Sequence, residues 1–383
     1  MHLTAATCFG DFMKILLAPD SFKGSLSAAD FCTAFEKGAC KARPDLSFDV
    51  LPVADGGEGT LSCMLSAMDG KVFNCPVQDP LFEEIQAPVG FFENGRTAVI
   101  EAAYANGLPL IKGRENPELT STYGVGQMIA FAVDMGARKI ILTLGGSSTN
   151  DCGLGMLAAL GACFYNADGV SFVPTGGTLK DIAEIDLSMM YPRLQGALFE
   201  GMCDVTNPLC GKNGCSAIYG PQKGADDAMV ARLDAGCRHV ADLFLKMRTT
   251  DFALESGAGA AGGLGFAILA ALNGKLKSGI ETVLDLSRFE SRLASCDRVV
   301  TGEGSFDYQS LMGKVIGGIL KRVAAAEKPV PVSVFCGKCG ALTEKPACLA
   351  DIVEISAGQE LEYALTHAAE NVEHAAEKWA AAL

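Results

Sequence analysis

The chain has 383 residues, 49% of them hydrophobic and 20% charged, which is an ordinary globular composition and long enough for two cores rather than one. A formal net charge of −14 and only 7% aromatic residues argue against a basic nucleic-acid surface, a base-stacking platform and a surface for anionic membranes. An anionic small ligand stays open, because fields are screened within about 8 Å at physiological salt and a few lysines or a bound cation reverse the sign locally.

Along the chain, MHLTAATCFGDF lacks the basic and apolar regions of a secretory signal and reads as a dispensable extension, residues 1–12. A strand at 14–18 follows Met13. Ser27-Ala28-Ala29-Asp30 is an S-x-x-D capping pattern that opens a helix over 27–41, with Phe31 and Phe35 one turn apart. A strand at 48–53 and a short helix at 60–68 come next. The middle is less regular: extended segments at 87–92 and 97–101, a helix over 125–135, a strand at 139–144, a segment near 197–205 and a helix over 226–246. The uncharged stretch 256–274 reaches the length that flags a membrane span, but its first half is Gly and Ala. A glycine loop leading into a buried helix at 266–272 fits it better. Towards the end, strands at 298–301 and 330–335 flank a helix over 313–326, and a strand lies at 352–355. One long helix over 360–383 closes the chain, its apolar stripe being Leu361, Leu365, Ala368, Val372, Ala375, Trp379 and Ala382.

Alternating strands and helices with crossovers of this length imply parallel sheets covered by helices. The expected fold is therefore α/β with two domains. Residues 13–76 and 287–383 form a parallel-sheet α/β domain from both chain ends, and residues 77–286 form a second α/β domain inserted between them. The active site is expected in the inter-domain cleft, a frequent place for small-molecule sites. The 15 scattered cysteines, an odd number, read as reduced thiols of a cytoplasmic protein. The lone Cys336-Gly337-Lys338-Cys339 has no second pair and no nearby histidine, so it is a weak sign of zinc.

Polar residues collect after strands. Ala18-Pro19-Asp20-Ser21-Phe22-Lys23-Gly24, Val53-Ala54-Asp55-Gly56-Gly57-Glu58-Gly59 and Thr301-Gly302-Glu303-Gly304-Ser305-Phe306-Asp307 each place a carboxylate and glycines past the carboxyl end of an expected parallel strand. That edge is where ligands sit in open α/β sheets, although one such turn alone is equally good loop and cap material. Gly145-Gly146-Ser147-Ser148-Thr149-Asn150-Asp151 turns a buried strand directly into an apolar helix, which suits a backbone that approaches an anion at a helix start. Cys203-Asp204-Val205-Thr206-Asn207-Pro208 and Gly220-Pro221-Gln222-Lys223-Gly224 add a carboxylate and a lysine.

The four histidines lie outside these clusters, against a Ser-His-Asp hydrolase or a His-ligated metal. No GK pair completes a Walker A loop, and Gly257-Ala258-Gly259-Ala260-Ala261-Gly262 matches GxGxxG without a convincing strand before it. That match is the sole support for a dehydrogenase; a backbone donor loop is its other reading. What remains is Asp, Glu, Lys, Ser, Thr, Asn and glycine-loop amides, the inventory that phosphoryl transfer needs.

Taken together, KILLAPDSFKGSLSA, LPVADGGEGT, LGGSSTNDCGLGM, CDVTNPLCG with GPQKGA, GAGAAGGLG and TGEGSFDYQSLMGK resemble, in this order, the bacterial glycerate kinase family of the glycerate 2-kinase type. The resemblance runs from Met13 nearly to the end. It implies two α/β domains, one discontinuous, and phosphorylation of D-glycerate by ATP with Mg²⁺ to give 2-phosphoglycerate and ADP. Organic-acid catabolism is the family's common setting. Ser305 stands where the family pattern often has a basic residue, Ser148 where it usually has Ala, and Cys152 where it usually has Gly.

On that reading Asp204 is the expected general base and Asp151 its runner-up. Lys23 and Lys223 neutralise anions. Asp20, Ser21, Asp55, Gly56, Gly57, Glu58 and Asn207 are expected to bind substrate, and Asp55 and Glu58 to hold Mg²⁺. Phosphate or nucleotide binding falls to Gly145, Gly146, Ser147, Ser148, Thr149, Asn150, Gly257, Gly259, Gly262, Gly302, Glu303, Asp307 and Lys314. The 145–149 segment could equally hold the substrate carboxylate. A kinase of another small hydroxy acid, formation of 3-phosphoglycerate, and a non-catalytic acid-binding protein remain alternatives. No nucleic acid or membrane partner is expected, and the chain is a monomer or a homodimer.

Overall fold

The computed structural model describes residues 13–57, 59–190, 192–311, 314–342 and 345–383. By internal contacts the chain divides into two compact units, one made of the segment up to Ala54 with Val283–Leu383, the other Asp55–Thr282.

In the terminal unit five parallel strands lie in the order Leu349–Glu354, Val332–Cys339, Arg298–Phe306, Lys14–Leu17, Ser47–Val50. The helix Ala28–Ala42 starts as its sequence predicts, with Ser27 Oγ accepting the Asp30 N–H at 3.1 Å. Its Phe31 and Phe35 are fully buried, and Phe35 meets Phe335 edge-on at 5.0 Å between centroids and Trp379 at 5.4 Å. Two expectations need correction here. The strand expected to stop at Thr301 runs on to Phe306, so Gly302, Glu303 and Gly304 are strand residues and not a loop after it. A glycine-rich strand reads as a loop, yet here a Cβ on Gly302 would lie 2.4 Å from the Phe335 carbonyl oxygen of the neighbouring strand. The closing helix is two helices, Leu361–Thr366 and Ala368–Ala381, broken at His367 with φ −113° and ψ 21°. The break shifts the stripe: Ala368, Val372, Ala376, Trp379 and Ala380 are buried, whereas Leu361 is 73% exposed.

The second unit holds a six-stranded sheet in the order Lys275–Lys277, Leu198–Met202, Lys139–Thr143, Thr97–Glu101, Glu84–Phe92, Gly70–Gln78. The first four strands are parallel and the last two antiparallel. The sequence reading places residues 55–76 with the terminal unit, but Gly70–Gln78 pairs along its whole length with Glu84–Phe92, and the segment packs with the second unit. A small hairpin joins Cys163–Tyr165 to Glu184–Asp186. The core of this unit lies between the sheet and the helices Tyr123–Asp134, Asp227–Arg248 and Leu264–Ala270, with Phe244 and Phe266 edge-on at 5.2 Å. Among the described residues no helix is long and apolar enough to cross a membrane, and the cysteines are free thiols.

Candidate active site

A cavity of about 240 Å³ opens in the second unit, at the carboxyl ends of the parallel strands Lys139–Thr143 and Leu198–Met202. Its wall is made of Asp55 to Gly57, Leu144 to Ser147, Met202 to Val205, Tyr219, Gln222, Lys223, Ala260 and Ala261. Parallel strands end their hydrogen-bond ladder here, so the chain leaves the sheet as irregular backbone at one edge, where ligands collect.

The corner after Lys139–Thr143 is built in two layers. Gly145, Gly146 and Ser147 face the cavity, with Gly146 at φ +74°. Ser148, Thr149, Asn150 and Asp151 are wholly buried behind them. Ser148 donates its N–H and its hydroxyl to the Asn106 carbonyl at 2.8 and 2.9 Å, and Asn150 donates to Ser216 Oγ at 3.1 Å. Asp151 accepts from Thr122 N and Oγ1 at 2.8 Å each, and from the N–H groups of Gly153 and Gly155 at 3.1 Å each. Burial pushes its carboxyl above the usual range, and these hydrogen bonds pull the other way. Its geometry is that of a cap tying the corner to the helix Leu154–Ala159, and it does not reach the cavity wall.

Lys223 crosses from the other side. Its side chain is buried, yet the residue lines the cavity, and its Nζ donates to Ser147 Oγ at 2.9 Å and to the Thr149 carbonyl at 2.7 Å. Burial lowers its pKa to about 8, against the attraction of Cys215, Asp151 and Cys237. Among the described residues these two hydrogen bonds use two of the three ammonium donors, which leaves one for an anion.

Asp204 and Asp55 supply the acidic side of the same wall. Asp204, just past the strand Leu198–Met202, accepts the Gly279 N–H at 3.0 Å. Desolvation over its packed side raises its carboxyl, hydrogen bonds from Ser278 and Gly279 lower it, and the Asp55 charge raises it further. Asp55 Oδ1 accepts the Gly57 N–H at 3.1 Å. The Asp55 carboxylate is a hard-oxygen donor, and Mg²⁺ takes one or two protein carboxylates with water and phosphate for the rest. The residues therefore fit a divalent cation. Among the described residues no group of three or more His, Cys, Asp or Glu side chains is arranged for a metal. Glu58 lies outside the described residues.

The glycine stretch has a different place from the one its composition suggests. Gly257, Gly259 and Gly262 are packed against backbone or side chains: a Cβ on them would meet Cys203 Sγ at 2.9 Å, the Pro208 carbonyl at 2.3 Å and the Thr149 carbonyl at 1.9 Å. Of this stretch it is Ala260 and Ala261 that face the cavity. Before it lies the short turn Phe252–Leu254 and no strand. Asn207 sits behind the wall, accepting from the Tyr219 hydroxyl at 2.7 Å.

The remaining predicted residues belong to the terminal unit. Asp20 N donates to the Gly302 carbonyl at 2.8 Å, which joins the turn after Lys14–Leu17 to the strand Arg298–Phe306. Ser21 and Lys23 are exposed there, Glu303 is buried, Asp307 Oδ1 accepts the Ser310 N–H at 3.3 Å, and Lys314 precedes the helix Val315–Ala324.

Several supports escape sequence reading. Glu101, buried at the end of Thr97–Glu101, accepts from Gly59 N at 2.7 Å and Leu61 N at 3.1 Å and so anchors the start of the helix Thr60–Ala67. A carboxylate at the end of an apolar parallel strand was its one visible sign. Asn106, Thr122, Ser278 and Gly279 carry no motif.

A family model described as the glycerate kinase family matches residues 15–383. The chain is similar to a "Glycerate 2-kinase" of Escherichia coli K12, 44% identical over 333 residues that cover 87% of this chain and 86% of the relative. A "Glycerate kinase" of Bacillus subtilis 168 is 44% identical over 319 residues, covering 83% and 84%. A crystal structure from Salmonella typhimurium LT2, provisionally titled glycerate kinase 2, matches with a TM-score of 0.86 at 39% identity, over 97% of this chain and 98% of that one.

Proposed function

The chain belongs to the glycerate kinase family, and from that premise we propose that it phosphorylates D-glycerate with ATP and Mg²⁺ at the 2-hydroxyl, giving 2-phosphoglycerate and ADP. The observation that carries this reading is one cavity walled by the buried Lys223 ammonium with Ser147 and by the carboxylates Asp204 and Asp55.

In this reading Lys223, Ser147 and the Gly145–Gly146 backbone bind an anionic group, the substrate carboxylate or a transferring phosphate. Asp204 accepts the proton of the attacking hydroxyl while that oxygen forms its bond to the γ-phosphorus and the bond to the ADP oxygen breaks. A carboxyl raised by desolvation is better matched to that proton than an ordinary one. Asp55 would hold Mg²⁺, and Mg²⁺ when bound supplies charge neutralisation at the phosphate oxygens. Lys23 is assigned as a further anion-neutralising residue of the terminal unit, with Asp20, Ser21, Gly302, Glu303, Asp307 and Lys314 kept in their substrate and nucleotide roles. A cytoplasmic location goes with this reading, since ATP is the phosphoryl donor.

The test is ADP release with Mg-ATP and D-glycerate, the product being resolved by enolase coupling with and without phosphoglycerate mutase. Signal with enolase alone supports the 2-hydroxyl. Signal only with mutase moves the reaction to the 3-hydroxyl, and no ADP in either case overturns the substrate.

A further inference from the structure

One turn that carries no phosphate-binding signature meets both the Asp204 carboxylate and the backbone of the Asp55 loop. The strand Lys275–Lys277 runs parallel to Leu198–Met202 with Lys277 opposite Met202, and Cys203 N donates to the Lys277 carbonyl at 2.8 Å. That register sets residues 278 and 279 beside 203 and 204. Gly279 N then donates to Asp204 Oδ1 at 3.0 Å, and the Ser278 hydroxyl hydrogen-bonds the same carboxylate. On its other side Gly279 touches the loop of the second carboxylate: a Cβ there would stand 1.8 Å from the Asp55 carbonyl oxygen and 2.7 Å from Gly56 N. The Ser278 carbonyl accepts the Thr282 N–H at 3.1 Å, so the helix Gly279–Leu286 begins here and its positive end faces Asp204.

We propose that Ser278 and Gly279 are positioning residues for phosphoryl transfer: they fix the plane of the Asp204 carboxylate towards the attacking hydroxyl and hold it at a set spacing from the Asp55 loop. The proposal rests on Asp204 being the general base. Two donors on a base lower its basicity, so what they contribute is orientation. A freely turning carboxylate must be ordered at the moment of proton transfer, whereas one held at Oδ1 is ordered beforehand. Gly279 has no substitute, because any side chain would displace the Asp55 carbonyl. Ser278 does have one, and that makes it the place to test.

Ser278→Gly removes the hydroxyl while keeping a residue that caps helices well, so the helix start is retained. The expected result is a fall in kcat of about tenfold, the scale of one lost hydrogen bond to a charged group, with KM for D-glycerate within about twofold and the melting temperature unchanged. Ser278→Thr, which restores a hydroxyl, should return kcat to within about twofold of the parent. In an Asp204→Asn background, itself expected to lose about a hundredfold or more in kcat, Ser278→Gly should cost nothing further, since its effect runs through Asp204. An equal cost of Ser278→Gly in both backgrounds, or a change confined to KM that Thr fails to reverse, overturns the positioning role. Near-normal kcat in Asp204→Asn alone overturns the base assignment instead.

Discussion

At the scale of single residues, the wall of the cavity sets Lys223 against its own burial. An ordinary lysine titrates near 10.5, and this one is lowered to about 8 by desolvation, with Cys215, Asp151 and Cys237 partly compensating. Below about pH 8 it is charged both folded and unfolded, and the folded chain carries the full cost of a buried ammonium. Between about 8 and 10.5 the unfolded chain binds the proton and the folded chain does not, so stability rises with pH through that window. The gap corresponds to about 3 kcal/mol, as an order of magnitude. Activity should move the opposite way, because an anion needs the charged form: kcat/KM is expected to fall above about pH 8. Lys223→Met should remove both trends, losing the stability gain from pH 8 to 10.5 relative to the parent and about a hundredfold or more of kcat/KM at pH 7. Urea unfolding and steady-state kinetics across pH 6 to about 10.5 check this pair. A parent kcat/KM that stays flat to pH 10 would mean that Lys223 carries no charge used in catalysis.

At the scale of elements, the same residue types serve two ends that sequence alone does not separate. The corner after Lys139–Thr143 was legible as a strand-to-helix turn of small polar residues, and the cavity does meet Gly145, Gly146 and Ser147. What the pattern hid is the layering: Ser148 to Asp151 turn inward, each with interior hydrogen bonds. Gly257 to Gly262 read as backbone donors because glycine lets a backbone come close to a ligand, but glycine equally lets a backbone come close to another backbone. In this fold the second use wins. Gly262 sits at φ +66° with the Thr149 carbonyl where a Cβ would be, at 1.9 Å. Gly262→Ala should therefore destabilise by more than about 3 kcal/mol and displace the corner with it. Gly136→Ala is the control: φ is +103°, but nothing lies within 4 Å, so the cost should be about 1 kcal/mol of backbone strain. Equal melting temperatures for the two variants would show that the 262 contact yields without loss.

For the whole molecule, several parallel strands were readable because strands buried on both faces are continuous apolar runs, as in KIILT at Lys139–Thr143 and the RVV that opens Arg298–Phe306, whereas the short parallel strand Lys275–Lys277 has no apolar run and was not read. The edge strand Gly70–Gln78 was not, since Asn74 and Pro76 interrupt the apolar run and the four consecutive residues Lys71 to Asn74 are exposed on both faces, which removes the alternation. Nor was the break at His367 visible, because alanines on every side of Ala368–Ala381 leave the phase of its stripe undefined. Charge, by contrast, is read straight from the sequence and has a consequence for encounter. With a net charge of −14 and a pI near 4.8, the chain repels anions, glycerate among them, at long range. Inside the wall the attraction of Lys223 is short-ranged and buried, so salt weakens it far less than it weakens the outer field. Raising ionic strength from about 10 to 100 mM shortens the screening length from about 30 to 10 Å. Over that range kcat/KM for D-glycerate should rise about two- to threefold and then level off, with kcat unchanged. Two inert salts of different anion should give the same curve, which separates screening from competition for the anion site. A kcat/KM that falls steadily with either salt would mean that a positive field reaches out of the cavity and outweighs the net charge of the chain.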